Sequence, residues 1–177
     1  MVQPYREQAG SQAGRGCLEH IVTLRLLCVV ARRKKFNLFI TLVDFSQAYY
    51  RVPRDVMFRV LKRLGCGVTM LLALVALYRI THSVIGSTVI SATVGVRQGS
   101  PTSCLLFIIF VTDLIRLIKQ NWGADGFLAW LHLLILMDDT VLLATNRENM
   151  VYKIKLLNQL CASHSMKINE CKTFFFY

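Results

Sequence analysis

The chain has 177 residues, 54% of them hydrophobic, and a net charge of +11. With a mean hydropathy of +0.46 it can bury a sizeable core, which argues for one folded domain and against a disordered chain. Uncharged stretches such as 64–78 and 98–112 are shorter than the roughly 18 to 20 apolar residues of a spanning helix, and the polar residues 1–12 do not resemble a signal peptide, so we expect no membrane partner.

The chain is strongly basic, because 21 Lys and Arg residues outnumber 10 Asp and Glu residues. This excess favours a polyanionic partner, nucleic acid before a membrane surface, although a basic run such as 32–35 is as often a solvated surface. The six cysteines have no CxxC spacing and the four histidines are scattered, so the sequence predicts no zinc site. Reduced thiols are typical of an intracellular protein, in the nucleus or the cytoplasm.

Apolar periodicity, together with Gly and Pro positions, predicts both helices and strands. From the N-terminus onward we expect a helix over 17–31, a strand over 36–45, helices over 47–64 and 68–80, a hairpin over 83–94, a helix over 102–119, a hairpin over 127–144, a helix over 147–163 and a strand over 166–177. The first helix should bury one face, and the nearly all-apolar third should be buried on most sides. This order predicts an α+β fold in which helices cover one face of a mostly antiparallel sheet.

Two adjacent carboxylates, Asp138 and Asp139, interrupt the apolar run 133–143 at its midpoint. Neighbouring like charges lose hydration and repel each other when buried, so they persist most readily where a cation neutralises them. The dipeptide alone is also compatible with a tight acidic turn that binds nothing. Asp44, at the C-terminal end of the expected strand 36–45, is another carboxylate in a site-like position.

Three segments resemble, in the right order, the palm motifs of reverse transcriptases: 44–49 (Asp-Phe-Ser-Gln-Ala-Tyr), 95–101 (Gly-Val-Arg-Gln-Gly-Ser-Pro) and 137–139 (Met-Asp-Asp). The particular likeness is to non-LTR (LINE-type) retrotransposons. Residues 8–10, 14–15 and 19–21 are similar to the fingers-side motif of these elements, and residues 168–173 are similar to their Asn-x-x-Lys-Thr segment. The resemblance implies a polymerase palm over 36–177, with a ferredoxin-like antiparallel sheet, a partial fingers segment over 1–35 and no thumb.

The family's activity is RNA-directed DNA synthesis by two-metal nucleotidyl transfer. The resemblance therefore implies that Asp44, Asp138 and Asp139, with the carbonyl of Phe45, hold two Mg²⁺ or Mn²⁺ ions, and that the carboxylates are catalytic. Hard oxygen ligands of this kind suit Mg²⁺, and two ions about 4 Å apart stabilise both the attacking and the leaving oxygen. The implied partners are an RNA template, a DNA primer and deoxynucleoside triphosphates; the oligomeric state is not predicted.

The resemblance also implies residues that bind substrate. Tyr49 matches the aromatic ring that lies under the incoming sugar and excludes a 2′ hydroxyl, with a core tyrosine as the alternative. Gln98 and Gly99 match the loop along the template and the incoming nucleotide. Arg97 could bind phosphate or be an ordinary exposed arginine, and Lys172 belongs to the Asn-x-x-Lys-Thr segment.

Several residues depart from the family pattern. Leu136 stands where Tyr or Phe is usual, Tyr50 where an Asp is common, and Cys104 where a Pro is frequent; Ser11 and Gln12 replace Phe-Arg. None of these changes removes an expected metal ligand. The sequence therefore leaves open an inactive, degenerate or domesticated palm that binds nucleic acid or a protein partner, and, less in keeping with the ordered motifs, an unrelated basic α+β module.

Overall fold

The computed structural model of the protein describes residues 5–97, 99–122, 125–128 and 131–177. Its helices are α1 (Cys17–Lys34), α2 (Ala48–Arg51), α3 (Arg54–Arg63), α4 (Val68–Tyr78), α5 (Pro101–Asn121) and α6 (Arg147–Ser163). Its strands are β1 (Phe39–Val43), β2 (Thr81–Ile85), β3 (Thr88–Ala92), β4 (Leu133–Leu136), β5 (Asp139–Ala144) and β6 (Phe174–Phe176), and short 3₁₀ helices cover Gly126–Leu128 and Glu170–Lys172. The predicted α+β fold is confirmed.

Helix boundaries follow local chemistry at most positions. The Asn146 side chain accepts a hydrogen bond from the Asn149 N–H (2.7 Å) and so caps α6, while α5 begins with Pro101 in its first turn. The single helix expected over 47–64 is wrong, because Pro53 divides it into α2 and α3. Proline has no N–H to donate and disfavours helical backbone in the residue before it, here Val52.

A four-stranded antiparallel sheet, in the order β4-β5-β1-β6, forms the centre of the fold. On one of its faces, Val43, Leu142 and Ile135 belong to the main core, which α5 and α6 complete. On the other face, Ile40, Leu134 and Leu143 form a smaller cluster with Leu27 of α1. Of the strand expected over 166–177, only Phe174–Phe176 joins the sheet, while Ile168 forms an isolated bridge to Phe45.

The helix α4 and the hairpin of β2 and β3 lie apart from this sheet. The expectation that this helix is buried on most sides is wrong: Val68 and Met70 are 73% and 60% exposed, and only Tyr78 is fully buried. The helix α1 likewise leaves Leu18 and Ile21 exposed although their spacing predicted a buried face. Apolar periodicity identified these helices correctly, but it does not say how much of their surface the fold covers. None of the described helices is long and apolar enough to cross a membrane.

An ionic cluster around the buried Asp113 of α5 joins this helix to α3 and to the C-terminal end of α6. Its carboxylate accepts hydrogen bonds from Arg63 of α3 and from Arg116 (2.9 Å), and the His164 imidazole lies 3.9 Å away. Burial alone raises the pKa of Asp113, but the nearby His164 imidazole, the hydrogen bond from Arg116 and the charges of both arginines outweigh it and lower the pKa to about 2.

Replacing Asp113 with Asn should therefore lower the free energy of unfolding by about 2 kcal/mol at neutral pH. The pKa is lower in the folded state, so the stabilisation is complete above the unfolded pKa near 3.8 and is lost as the pH falls through about 2. Urea unfolding of both proteins between pH 7 and pH 2 should show their difference shrinking below about pH 4. Asp55→Asn, which breaks only the exposed pair with Arg59, should change little at any pH; an Asp113→Asn variant as stable as that control would contradict the prediction.

Candidate active site

The register of the sheet brings together carboxylates that are far apart in sequence. Val43 pairs with Thr140 across β1 and β5, so Asp44, the next residue, lies beside Asp139. The hairpin of β4 and β5 turns through Met137 and Asp138, because Leu136 pairs with Asp139. The sequence predicted both acids at the hairpin tip; Asp138 is in the turn, and Asp139 is the first residue of β5.

The electrostatics agree with a cluster of like charges. Burial raises the pKa of Asp139, and the carboxylates of Asp138 and Asp44 raise it further. A bound cation would remove that penalty, since it favours the ionised form. Among the described residues, no three His, Cys, Asp or Glu side chains are already arranged as a metal cage. Carboxylate oxygens that repel one another are nevertheless the donor set that Mg²⁺ or Mn²⁺ would fit.

The backbone of Phe45 lies next to this cluster. The residues on either side of it pair with the chain after α6: the Asn169 N–H donates to the Asp44 carbonyl (2.8 Å), and the Ser46 N–H donates to the Lys167 carbonyl (2.8 Å). Successive carbonyls of an extended chain point to opposite sides. Because the Ser46 N–H faces the chain after α6, the Phe45 carbonyl of the same trans peptide faces away from that chain. Its role as a metal ligand stays a prediction.

Sequence reasoning missed the contact that Asn169 makes with Asp44. Its side-chain amide donates to the Asp44 carboxylate (2.9 Å) in addition to the backbone bond, so it fixes the orientation of that carboxylate. The sequence does contain a signal for this contact, because Asn169 is the first residue of the Asn-x-x-Lys-Thr pattern. From that pattern only Lys172 was predicted to bind substrate. Lys172 lines a cavity of about 360 Å³ together with Asp44 and Asp139.

A second cavity, of about 280 Å³, is lined by Tyr49, Arg97, Gly99 and Cys104. The Tyr49 ring is half-buried and stacks on Phe107, with 4.4 Å between ring centroids. Burial raises the pKa of Tyr49, and Cys104 and the Asp138 carboxylate raise it further. Asp138 thus acts electrostatically both on Tyr49 in this cavity and on Asp139 in the cavity that Lys172 lines.

Arg97 and Gly99, which were also predicted to bind substrate, both line this second cavity. The Arg97 side chain is exposed, but its guanidinium donates to the Leu77 carbonyl (3.0 Å) and lies 5.7 Å from the centre of the Tyr78 ring. Gly99 has a φ of +80°, a conformation that favours glycine. Gln98 lies outside the described residues.

Backbone hydrogen bonds join the loop before α5 to the turn that carries Tyr49. The Val96 N–H donates to the Tyr49 carbonyl (2.9 Å), and the Gly95 N–H donates to the Val52 carbonyl (2.8 Å). Gly95 has a φ of +81°, and a Cβ at this position would lie 2.8 Å from the Tyr50 carbonyl oxygen. Only glycine allows this close approach of the two segments.

Arg54 was not predicted to have a role, yet it stabilises the same loop. Its side chain is 6% exposed and donates to the carbonyls of Gly95 (2.8 Å), Ala92 (2.8 Å) and Tyr78 (2.5 Å) and to the Thr81 hydroxyl (3.0 Å). Burial lowers the pKa of Arg54, and the positive charge of Arg97 lowers it further. No local sequence pattern marks a buried arginine of this kind, because its partners come from separate segments.

The comparison with protein families decides the identity. Residues 4–177 match the model of the family described as reverse transcriptase (RNA-dependent DNA polymerase). The chain belongs to the reverse transcriptase family. A search of curated proteins gave no match, so the more specific likeness to LINE-type retrotransposons stays a prediction.

Solved telomerase structures share the fold of this reverse transcriptase. The telomerase from Candida albicans, in complex with the TWJ fragment of telomeric RNA, superposes with a TM-score of 0.69 at 17% identity over 98% of this chain and 31% of that chain. The apo telomerase from Candida tropicalis gives a TM-score of 0.67 at 14% identity over 97% of this chain and 33% of that chain. The chain thus spans about a third of the length of these structures.

The close approach at Gly95 gives a stability prediction. Gly95→Ala should lower the free energy of unfolding by about 3 kcal/mol, because it combines an unfavourable φ with a clash against the Tyr50 backbone. Gly65→Ala is the matched control: its φ is +82°, with no atom within 4 Å of the added Cβ, so it should cost only about 1 kcal/mol. Equal losses for the two variants in urea unfolding would show that the loop approaches the α2 turn less closely than described.

Proposed function

We propose that this reverse transcriptase chain carries the nucleotidyl-transfer site of an RNA-directed DNA polymerase from a non-LTR retrotransposon, with residues 36–177 as its palm and 1–35 as part of its fingers. The observation that carries the proposal is the position of Asp44 beside Asp139 on neighbouring strands, next to the turn with Asp138. Three carboxylates at one sheet end concentrate negative charge where a reaction at phosphate needs divalent cations.

Asp44, Asp138 and Asp139, with the Phe45 carbonyl, would hold two Mg²⁺ or Mn²⁺ ions. When bound, these ions supply charge stabilisation for the attacking 3′ hydroxyl oxygen and for the leaving pyrophosphate oxygen. The protein's part is to fix the ligands: the sheet register holds Asp44 beside Asp139, and the amide of Asn169 orients the Asp44 carboxylate. Lys172, in the cavity with Asp44 and Asp139, supplies a positive charge for phosphate oxygens.

The cavity at Tyr49 is where the incoming deoxynucleotide would lie. The Tyr49 ring, supported by Phe107, would lie against the sugar and leave no room for a 2′ hydroxyl. Gly99, with Gln98 beside it, allows close approach of the backbone to the template and nucleotide. Arg97, at the rim of the same cavity, would contact the triphosphate.

The nucleic acid would be an RNA template with a DNA primer. The charge of +11 favours binding to phosphates, and one telomerase with this fold is described in complex with telomeric RNA. The free cysteines of the chain are compatible with the intracellular location that such templates require.

Primer extension on a primed RNA template tests the proposed activity. With Mg²⁺ or Mn²⁺ the purified chain should extend the primer, chelation should stop it, and Asp44→Asn or Asp138→Asn should reduce the rate by at least about 100-fold. Asp55→Asn, which replaces an exposed acid of α3, is the control and should keep the wild-type rate. Salt-dependent binding of the template without extension would instead support the inactive palm, and failure to bind nucleic acid would overturn both.

Tyr49 gives a more specific test of the nucleotide site. Tyr49→Val should keep deoxynucleotide incorporation and raise ribonucleotide incorporation, relaxing the preference by roughly 10- to 100-fold, because the wall against the 2′ hydroxyl is removed. The neighbouring Tyr50, 54% exposed, provides the control Tyr50→Val, which should leave the preference unchanged. Equal loss of both activities in Tyr49→Val would mean that the ring only packs on Phe107.

A further inference from the structure

The segment 7–12 lies along the outer edge of the acidic hairpin. The Ala9 N–H donates to the Ile135 carbonyl (3.0 Å), and the Ile135 N–H donates to the Glu7 carbonyl (2.7 Å), so Gln8 forms a parallel bridge to Ile135 of β4. This short pairing extends the sheet by one strand position beyond β4. It brings the N-terminal segment to the turn that carries Asp138.

Gln8 is fully buried, and its side chain reaches that turn. Its carbonyl oxygen Oε1 accepts hydrogen bonds from the Gly10 N–H (2.7 Å) and the Met137 N–H (3.3 Å). Its amide nitrogen Nε2 is buried and has no hydrogen-bond partner among the described residues. A buried amide that lacks a partner is destabilising, so an apolar side chain of similar size would suit the core better if packing were the whole role of Gln8.

Met137 has a backbone conformation that needs support. Its φ of +60° is in the left-handed region, which is unfavourable for a residue other than glycine. The segment 7–12 contacts Met137 closely: a Cβ on Gly10 would lie 2.7 Å from the Met137 nitrogen, and the Ser11 hydroxyl lies 3.4 Å from its sulfur. The Met137 N–H stands in the turn, outside the ladder of β4 and β5, and Gln8 supplies its acceptor.

We propose that Gln8 is a positioning residue of the nucleotidyl-transfer site. By accepting the Met137 N–H it holds the turn in its left-handed conformation, and this orients the next residue, Asp138, toward Asp44 and Asp139. Without this bond, Met137 relaxes toward an ordinary φ, the peptide between Met137 and Asp138 rotates, and the Asp138 carboxylate leaves its place in the cluster. This inference rests on the proposed function, because the purpose of the orientation is to bind the catalytic cations.

The test measures binding of Mn²⁺ alone to the 177-residue chain, by electron paramagnetic resonance, together with urea unfolding. Gln8→Met keeps the side-chain length but removes the acceptor, and it should weaken Mn²⁺ binding roughly three- to tenfold with little loss of stability. Adding Met137→Gly should restore the affinity to within about twofold of Met137→Gly alone, because glycine adopts a φ of +60° without support. A merely structural role of Gln8 would not give this rescue.

Gln12→Met is the matched control, because Gln12 is in the same segment but does not bond to Met137: its amide donates to the backbone carbonyl of Gln8 (2.7 Å). This variant should keep wild-type Mn²⁺ affinity. Asp44→Asn separates the two proposals, since it should weaken Mn²⁺ binding whatever Gln8 does. If wild-type binding is absent or insensitive to Asp44→Asn, the proposed function fails, and the role of Gln8 fails with it. If wild-type binding depends on Asp44 but Gln8→Met binds like Gln12→Met, or Met137→Gly gives no rescue, the positioning role alone is overturned.

Discussion

The register between β1 and β5 is the constraint on which the candidate site depends. Five consecutive pairs, from Phe39 with Ala144 to Val43 with Thr140, fix it. Because side chains alternate between the faces of a strand, a slip of one residue would take Asp44 off the face that Asp139 shares. Both faces of this strand pair are apolar and partly covered, by the main core on one side and by the α1 cluster on the other, so a slip would also disrupt the packing of the sheet.

The two ends of the hairpin of β4 and β5 differ in how charged side chains are paired: opposite charges meet at its base, and like charges meet at its tip. At its base, the buried Lys153 ammonium donates to the Asp125 carboxylate (2.6 Å) and to the Leu143 carbonyl (2.5 Å), and Asn149 donates to the same Asp125 (2.9 Å). A buried ion pair needs such additional hydrogen bonds to offset the cost of desolvation. At the tip, burial raises the pKa of Asp139, and the neighbouring carboxylates of Asp138 and Asp44 raise it further. The fold therefore gathers negative charge at one end of the sheet, the place that we propose for cation binding.

Contacts from both ends of the chain meet at this tip. Gln8 bonds to the turn residue Met137 across 129 positions of sequence, and Asn169 bonds to Asp44 across 125. Closing such long loops costs conformational entropy that is recovered only when the whole domain packs. The geometry of the site is thus a property of the folded domain, and the hairpin alone would not specify it.

The sequence by itself determined the α+β class, most helix and strand positions, the acidic hairpin and the reverse transcriptase family, because these depend on local periodicity, on turn residues or on the order of short motifs. It also identified Asp44, Asp138 and Asp139, although their roles and those of Tyr49, Arg97, Gln98, Gly99 and Lys172 stay predictions. The tertiary structure alone decided the exposed faces of α1 and α4, the buried Arg54 and the contacts of Asn169 and Gln8. Each of these depends on which distant segments meet or leave a surface uncovered, and neither local periodicity nor motif spacing contains that information.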